Sequence, residues 1–237
     1  MSIAKENAAQ AALEFVQDGM VLGLGSGSTA EIFIEKLGDQ VAGGLKVTAI
    51  PTSQRTAQCA IEAGITLLDP DRVDHIDLTI DGADEVDQVF QLIKGGGACL
   101  LREKIVAQAS RKMVVIVDDR KMVETLGTFP LPVEVDPFCL GVTAQQVYDA
   151  LMATGCEDGQ TVLRQMKDGS GPLVTDGGHY ILDCRCRRIP DPVATARALA
   201  MIPGVMETGL FIDLASTIIV GEVDHAKVLE IRRETSS

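Results

Sequence analysis

The chain has 237 residues, 46% of them hydrophobic and 23% charged, and a formal net charge of −13. This composition is globular. The acidic balance and the 3% aromatic content exclude the basic, base-stacking surface of a nucleic-acid binder, and no apolar run reaches the ~18 residues of a membrane span. The opening residues, Met1-Ser2-Ile3-Ala4-Lys5-Glu6-Asn7, lack the basic-then-apolar layout of a secretory signal, so the expected location is the cytoplasm, with no membrane partner. The six cysteines show no CxxC spacing, and His75, His179 and His225 form neither HxH nor HExxH. Cys184 and Cys186 point the same way on a predicted strand but lack further ligands, so the cysteines read as reduced thiols and no metal is expected.

In chain order, apolar spacing predicts a helix over 8–16, ended by Asp18-Gly19. A short strand follows at 20–24. Next come a helix over 29–37 with Gly38 as its stop, a strand over 45–50 ended by Pro51, and a helix over 53–63. Further strands are expected at 65–68, 76–80 and 89–93, then a helix over 99–109 and a β-branched strand over 113–117. Strands separated by helices predict an α/β domain: a three-layer, Rossmann-like, mostly parallel sheet covered on both faces.

The pattern changes at Phe129-Pro130-Leu131-Pro132-Val133-Glu134-Val135. After it come a helix over 143–152 with Thr143 as N-cap, and strands over 161–166 and 173–184, the latter interrupted by the turn Asp176-Gly177-Gly178. Asp191-Pro192 opens another helix, as an acidic cap with proline at the first helical position, and a strand follows over 205–212. The order strand, helix, strand, strand, helix, strand is that of a smaller ferredoxin-like α+β domain. Two last strands, 216–220 and 227–231, return to the first domain. The expected domains are 1–127, 128–212 and the C-terminal strands 213–237.

Gly23-Leu24-Gly25-Ser26-Gly27-Ser28-Thr29 joins a predicted strand to a helix. Glycines let backbone amides approach an anion, the helix start adds a favourable dipole, and Ser26, Ser28 and Thr29 add hydroxyls. A phosphate is the natural guest; a purely structural turn is the alternative. The motif is neither a full GxGxxG nor a P-loop, and the second strand ends Thr48-Ala49-Ile50-Pro51-Thr52-Ser53 with no carboxylate for a ribose hydroxyl. It therefore suits one terminal phosphate on a small molecule and disfavours NAD.

Asp81-Gly82-Ala83-Asp84-Glu85 lies just beyond the 76–80 strand, where open α/β sheets bind ligands. Two carboxylates there suit hydroxyl binding and proton shuttling; a solvated acidic turn and a Mg²⁺ site are the other readings. Lys94-Gly95-Gly96-Gly97-Ala98 precedes a helix that carries Glu103. Three consecutive glycines carry a conformational entropy cost and make sense where backbone must lie close to a ligand. Glu103 in an early helical turn can point back across that opening. Both have blander readings, a solvated lysine for Lys94 and a surface helix residue for Glu103. Arg120 and Lys121 follow the 113–117 strand on the same edge, and Lys121 is a candidate phosphate or substrate contact.

Taken in order, these stretches resemble type A ribose-5-phosphate isomerases. The likeness rests on Gly25 to Thr29, Asp81 to Glu85, and Lys94 to Ala98 with Arg102-Glu103-Lys104. It continues through 129–135, Val174-Thr175-Asp176, Ile202-Pro203-Gly204-Val205 and Gly209-Leu210-Phe211, and so covers nearly the whole chain. The resemblance implies an aldose–ketose isomerase of the non-oxidative pentose phosphate pathway. It would interconvert ribose 5-phosphate and ribulose 5-phosphate through a cis-enediolate, without a cofactor, as a homodimer or higher homo-oligomer. It implies Glu103 as the residue that moves the proton between C1 and C2, and Asp81 and Asp84 as carboxylates that handle substrate oxygens and ring opening. Lys94 would lie near the reacting oxygens. Substrate contacts would come from Ser26, Gly27, Ser28, Thr29, Asp81, Gly82, Ala83, Asp84, Lys94, Gly95, Gly96, Gly97 and Lys121, and Lys5 matches an N-terminal lysine near the phosphate in some members. The sequence departs from the family's usual form at Ser26, Cys99, the turn Asp176-Gly177-Gly178-His179 and the segment 221–226; none removes a proposed catalytic group. An isomerase of another sugar phosphate, an acyl-CoA transferase with a nucleophilic glutamate, and a catalytically silent sugar-phosphate sensor are the competing classes. The retained Lys94, Asp81, Asp84 and Glu103 favour catalysis.

Overall fold

The computed structural model of the chain describes residues 2–231. In chain order its elements are α1 (Ile3–Ala12), β1 (Val21–Leu24), α2 (Ser28–Ala42), β2 (Thr48–Pro51), α3 (Gln54–Glu62), β3 (Thr66–Leu67), β4 (Leu78–Asp81), β5 (Glu85–Val86), β6 (Leu92–Ile93), α4 (Leu100–Gln108) and β7 (Met113–Asp118). They continue with β8 (Leu131–Val135), α5 (Leu140–Ala153), β9 (Gln160–Leu163), β10 (Tyr180–Arg185), α6 (Pro192–Ala200), β11 (Val205–Thr208), β12 (Leu210–Phe211), β13 (Thr217–Gly221) and β14 (Ala226–Glu230). Two compact units divide the chain. One takes residues up to 82, 105–121 and those from 213; the other takes 83–104 and 122–212. The sequence places its boundary at 127/128, whereas the segment 83–104 groups with the second unit.

The first unit is built on a sheet ordered β14-β13-β7-β4-β1-β2-β3. It is parallel throughout except for the antiparallel edge pair β13–β14. Alternate residues of its strands, Leu22, Leu24, Ala49, Leu78, Ile80, Val114, Ile116 and Ile219, pack with Ala8, Phe33, Leu37 and Ala60 from α1, α2 and α3. The opposite face carries Ile50, which packs with Ile76 and Val106 of α4. Helices thus cover both faces, in three layers. The chain runs from β1 outward to β2 and β3, then crosses back to β4 and β7. The strand order therefore reverses between β1 and β4, and crevices at such a point bind ligands beyond the carboxyl ends of the strands.

Two sequence readings in this unit change. Gly38 does not stop α2, which runs to Ala42. A side chain at Gly38 would meet the Ala63 backbone oxygen and Cβ, so the glycine serves close packing against the end of α3. The first helix begins at Ile3 and tightens into a 3-10 turn at Leu13–Phe15 instead of running to residue 16.

In the second unit β8, α5, β9, β10, α6 and β11 form an antiparallel sheet ordered β11-β8-β10-β9 with two helices, the ferredoxin-like arrangement. Its core holds Leu131, Val133, Val135, Val147, Leu151, Leu182, Cys184 and Leu199. Asp191 caps α6 by accepting the Ala194 amide, as its position before proline predicts. Thr143 does not cap α5. The helix starts a turn earlier, behind Cys139 at φ 53, and Thr143 is buried where a Gly204 Cβ would otherwise sit. The expected strand over 205–212 breaks at Gly209 into β11 and β12. A Cβ on Gly209 would collide with the Lys94 carbonyl oxygen. The Gly209 amide donates to Pro132 O at 2.7 Å, and its carbonyl accepts from Lys94 N at 2.9 Å. One glycine thus passes the chain into a second, three-stranded sheet, β12-β6-β5. The pairing of Glu85 and Val86 in that sheet was not foreseen.

Candidate active site

In the first unit the turn after β1 is shaped by Asp81 at the end of β4. Asp81 is fully buried. Its Oδ1 accepts the amides of Ser26 at 3.1 Å and of its own neighbour Gly82 at 2.7 Å. Gly25 lies so close that a Cβ there would run into this carboxylate. Gly27 has φ 99 and ψ 171, a region open essentially to glycine alone, and it turns the chain so that α2 begins at Ser28. The loop thereby presents Gly27 and Ser28 exposed at a helix N-terminus, with Thr29 buried behind them. Lys5 Nζ donates to Ser28 Oγ at 2.8 Å, which places an ammonium on the loop. This arrangement can receive an anion.

The Ser26 hydroxyl is engaged within the protein. Its Oγ lies 2.9 Å from Thr52 Oγ1, 3.0 Å from Ser53 Oγ and 3.0 Å from Thr56 Oγ1. Thr52 and Thr56 in turn donate to the carbonyls of Leu24 and Gly25, so four hydroxyls hold the loop from behind. Ser53, which also caps α3, was legible as a helix start; its bond to Ser26 was not.

Arg120 and Lys121 separate in role. Arg120 forks onto Asp118 at the end of β7, with bonds of 3.0 and 3.1 Å. Lys121, half-buried, is the second cation of this turn. The Arg120 guanidinium holds the buried Asp118 carboxyl below its usual pKa. A depressed carboxylate contributes stability above its unfolded pKa, about 3.9, and loses it as pH falls through the lower folded value. Urea titrations of the wild type and Arg120→Met are therefore expected to differ at neutral pH and to converge in acid below both values. A difference that persists unchanged at the lowest pH would remove the ion pair as its cause.

In the second unit Lys94 directly follows β6, and Glu103 lies in the first turn of α4. Both side chains are nearly inaccessible, 3% and 5% exposed, and Lys94 Nζ is 3.2 Å from Glu103 Oε2. Lys94 also sits over the Phe211 ring, 5.4 Å from its centroid, a favourable cation–π placement. Lys104, on the other side of Glu103 in sequence, is bound to Glu207 at 2.7 Å and to the Thr208 carbonyl at 2.6 Å, over the same ring. Burial pushes its ammonium pKa down, and Glu207 opposes the shift. Arg102 forks onto Asp176. Glu103 thus stands between two anchored cations in the chain.

Asp84 accepts the Gly96 amide on Oδ2 at 2.7 Å, and a Cβ on Gly96 would strike that carboxylate. Gly95 has φ 109 and lies against Leu100 and Pro132, while Gly97 faces open space. Glu85 is not a substrate candidate, because it is buried and accepts the amides of Gly127 and Phe129. The structure therefore groups Ser26 to Thr29, Asp81, Gly82 and Lys121 in one unit, and Ala83, Asp84, Lys94, Gly95 to Gly97 and Glu103 in the other.

A phosphate-sized helix-start loop, buried carboxylates and a buried lysine–glutamate pair beside a triple-glycine turn are the parts an enediol chemistry needs. The family model for ribose 5-phosphate isomerase A (phosphoriboisomerase A) matches residues 48–225. Ribose-5-phosphate isomerase A of Maricaulis maris is 60% identical over 227 residues, 96% of this chain and 97% of that protein. The solved ribose 5-phosphate isomerase A of Methanocaldococcus jannaschii superposes with a TM-score of 0.88 at 38% identity, covering 96% of this chain and 98% of that one. A D-ribose-5-phosphate isomerase in complex with phospho-erythronic acid does so with a TM-score of 0.89 at 39% identity, over 96% and 98%. With motifs, fold and relatives in agreement along almost its entire length, the chain belongs to the ribose 5-phosphate isomerase A family.

Proposed function

We propose a division of labour among these residues for the reaction of the family, the interconversion of D-ribose 5-phosphate and D-ribulose 5-phosphate, which this chain catalyses as an aldose–ketose isomerase. The observation that carries the assignment is the Lys94–Glu103 pair, 3.2 Å apart and almost wholly out of water. The substrate phosphate docks on Gly27, Ser28 and the start of α2, with Lys5 and Lys121 as counter-charges. Asp81 and Asp84 take the sugar hydroxyls and open the ring. Glu103 removes the proton from C2 of the open aldose, and the electron pair moves through C1 onto the carbonyl oxygen, giving a cis-enediolate. Lys94 and the amides of the glycine turn stabilise the negative oxygen. Glu103 returns its proton to C1, while the O2 proton passes to O1, and the ketose results. Burial makes the charges of Asp81, Lys94 and Glu103 count for more than they would in water.

A phosphorylated four-carbon acid such as phospho-erythronic acid places a carboxylate where this scheme puts the enediolate, so it is expected to compete with substrate. The direct test is NMR of the purified protein with ribose 5-phosphate in D₂O, without added metal or cofactor. Ribulose 5-phosphate is expected, with deuterium entering at the exchanged carbon. No conversion by folded protein would overturn the assignment.

The reading extends to a cytoplasmic homodimer or larger homo-oligomer. Six free thiols suit a reducing compartment, and the large apolar side chains Phe138 and Met201 are more than four-fifths exposed. Among the described residues no helix is long and apolar enough to cross a membrane. A monomer mass by light scattering at micromolar concentration would remove the oligomer.

A further inference from the structure

We infer that Arg164 is a positioning residue for the Gly95-Gly96-Gly97 turn, acting on the reaction through two peptide planes without touching substrate. The inference rests on the isomerase reading above.

Arg164 follows β9, and its side chain is only 14% exposed. The Nε and Nη2 atoms fork onto the two oxygens of Asp183 on β10. The remaining nitrogen, Nη1, donates to the carbonyl of Gly95 at 2.8 Å and to that of Gly96 at 3.2 Å. A guanidinium is planar and has donors in fixed directions. With Asp183 fixing its plane, the direction of Nη1 is set as well.

Among the described residues no peptide bond is cis. In a trans peptide the carbonyl and the amide point to opposite sides. The 95–96 peptide obeys this: its carbonyl is on Arg164 and its amide is on Asp84 Oδ2 at 2.7 Å. Arg164, that peptide and the Asp84 carboxylate therefore form one line of hydrogen bonds. The next peptide has its carbonyl on Arg164 too, so the Gly97 amide is turned to the side away from the guanidinium. A turn of three glycines, with Gly95 at φ 109 and Ala98 at φ 59, has no side chains to hold such orientations by packing. The Ala98 amide closes the turn onto the Gly95 carbonyl at 2.9 Å; Arg164 adds the constraint on the next peptide, aiming the Gly97 amide, and steadies Asp84 through the first.

The guanidinium lines an open cavity of about 400 Å³ together with Gly96, Val162, Asp183 and Arg185, so a small cation can reach the position from solvent. The test uses the full-length enzyme with Arg164→Lys and Arg164→Ala, and Glu103→Gln as the control. An ammonium cannot reproduce the fork and the carbonyl bonds together, so kcat is expected to fall about 100-fold in both Arg164 variants, as for a misaimed reacting group. The KM for ribose 5-phosphate is expected to stay within about 3-fold, since the phosphate loop is untouched. Methylguanidinium is expected to restore part of the kcat of Arg164→Ala and to leave Arg164→Lys unchanged. Wild-type kcat in either folded variant would overturn the inference. A loss of kcat that tracks lowered melting temperature and is not rescued would overturn it as well, because that is what a merely structural ion pair gives. If Glu103→Gln also retained full turnover, the isomerase reading itself would fail, and that outcome is separate.

Discussion

Glu103→Gln is expected to lower kcat by at least ~10²-fold, because an amide cannot take up a proton from carbon as a carboxylate does. The shape of the side chain is kept, so KM for ribose 5-phosphate should change little. The substitution also takes away the negative charge 3.2 Å from Lys94, and the melting temperature should drop. Turnover is therefore measured well below the variant's own transition, with folding checked by circular dichroism. Turnover above a tenth of wild type would transfer the proton step to another group.

Lys94→Met is expected to be the most destabilising of the substitutions considered, by about 3–5 kcal/mol, the cost of removing one partner of a buried ion pair. Against a total stability of ~5–15 kcal/mol for a domain, this puts the variant close to unfolding at ordinary temperatures. The second half of the prediction distinguishes charge from packing. Lys94→Met combined with Glu103→Leu replaces the pair by apolar groups of similar size, and most of the lost stability should return while the enzyme stays inactive. Urea unfolding of the four proteins gives the coupling directly. A single variant costing under ~1 kcal/mol, or a double variant less stable than Lys94→Met, would show that the pair is not what holds this turn.

What was legible in the sequence was local. The phosphate-type loop, the two aspartates and the lysine with its triple glycine all announce themselves within a few residues, because glycine φ values and strand ends are short-range facts. Glu103 could be placed because helical spacing puts it one turn inside α4. Partners far along the chain were not legible. Glu85 belongs to the acidic motif by composition, yet it is tied to amides 42 and 44 positions away. Ser26 reads as a ligand hydroxyl until Thr52, Ser53 and Thr56 close around it. Arg164 carries no motif, and its bonds to the glycine turn span 68 and 69 positions. Helix ends failed for a related reason: Gly38 looks like a stop, but the backbone of Ala63 needs the space a side chain would fill.

The order of the main sheet has a consequence for how the chain is made. Met113–Asp118 lies in the interior of that sheet and is buried along its whole length. On one side it pairs with Leu78–Asp81, already synthesised, and on the other with Thr217–Gly221, ~100 residues later. At ribosomal rates of about 5–20 residues per second, that second edge stays bare for roughly 5–20 s after it emerges. During that interval Met-Val-Val-Ile-Val-Asp is an apolar strand with unpaired amides and carbonyls, the kind of edge that templates aggregation. Thr217–Gly221 ends the interval, and Ala226–Glu230, exposed and antiparallel, becomes the new rim. Protection of this edge during synthesis therefore depends on a segment ~100 residues downstream that carries none of the chemistry.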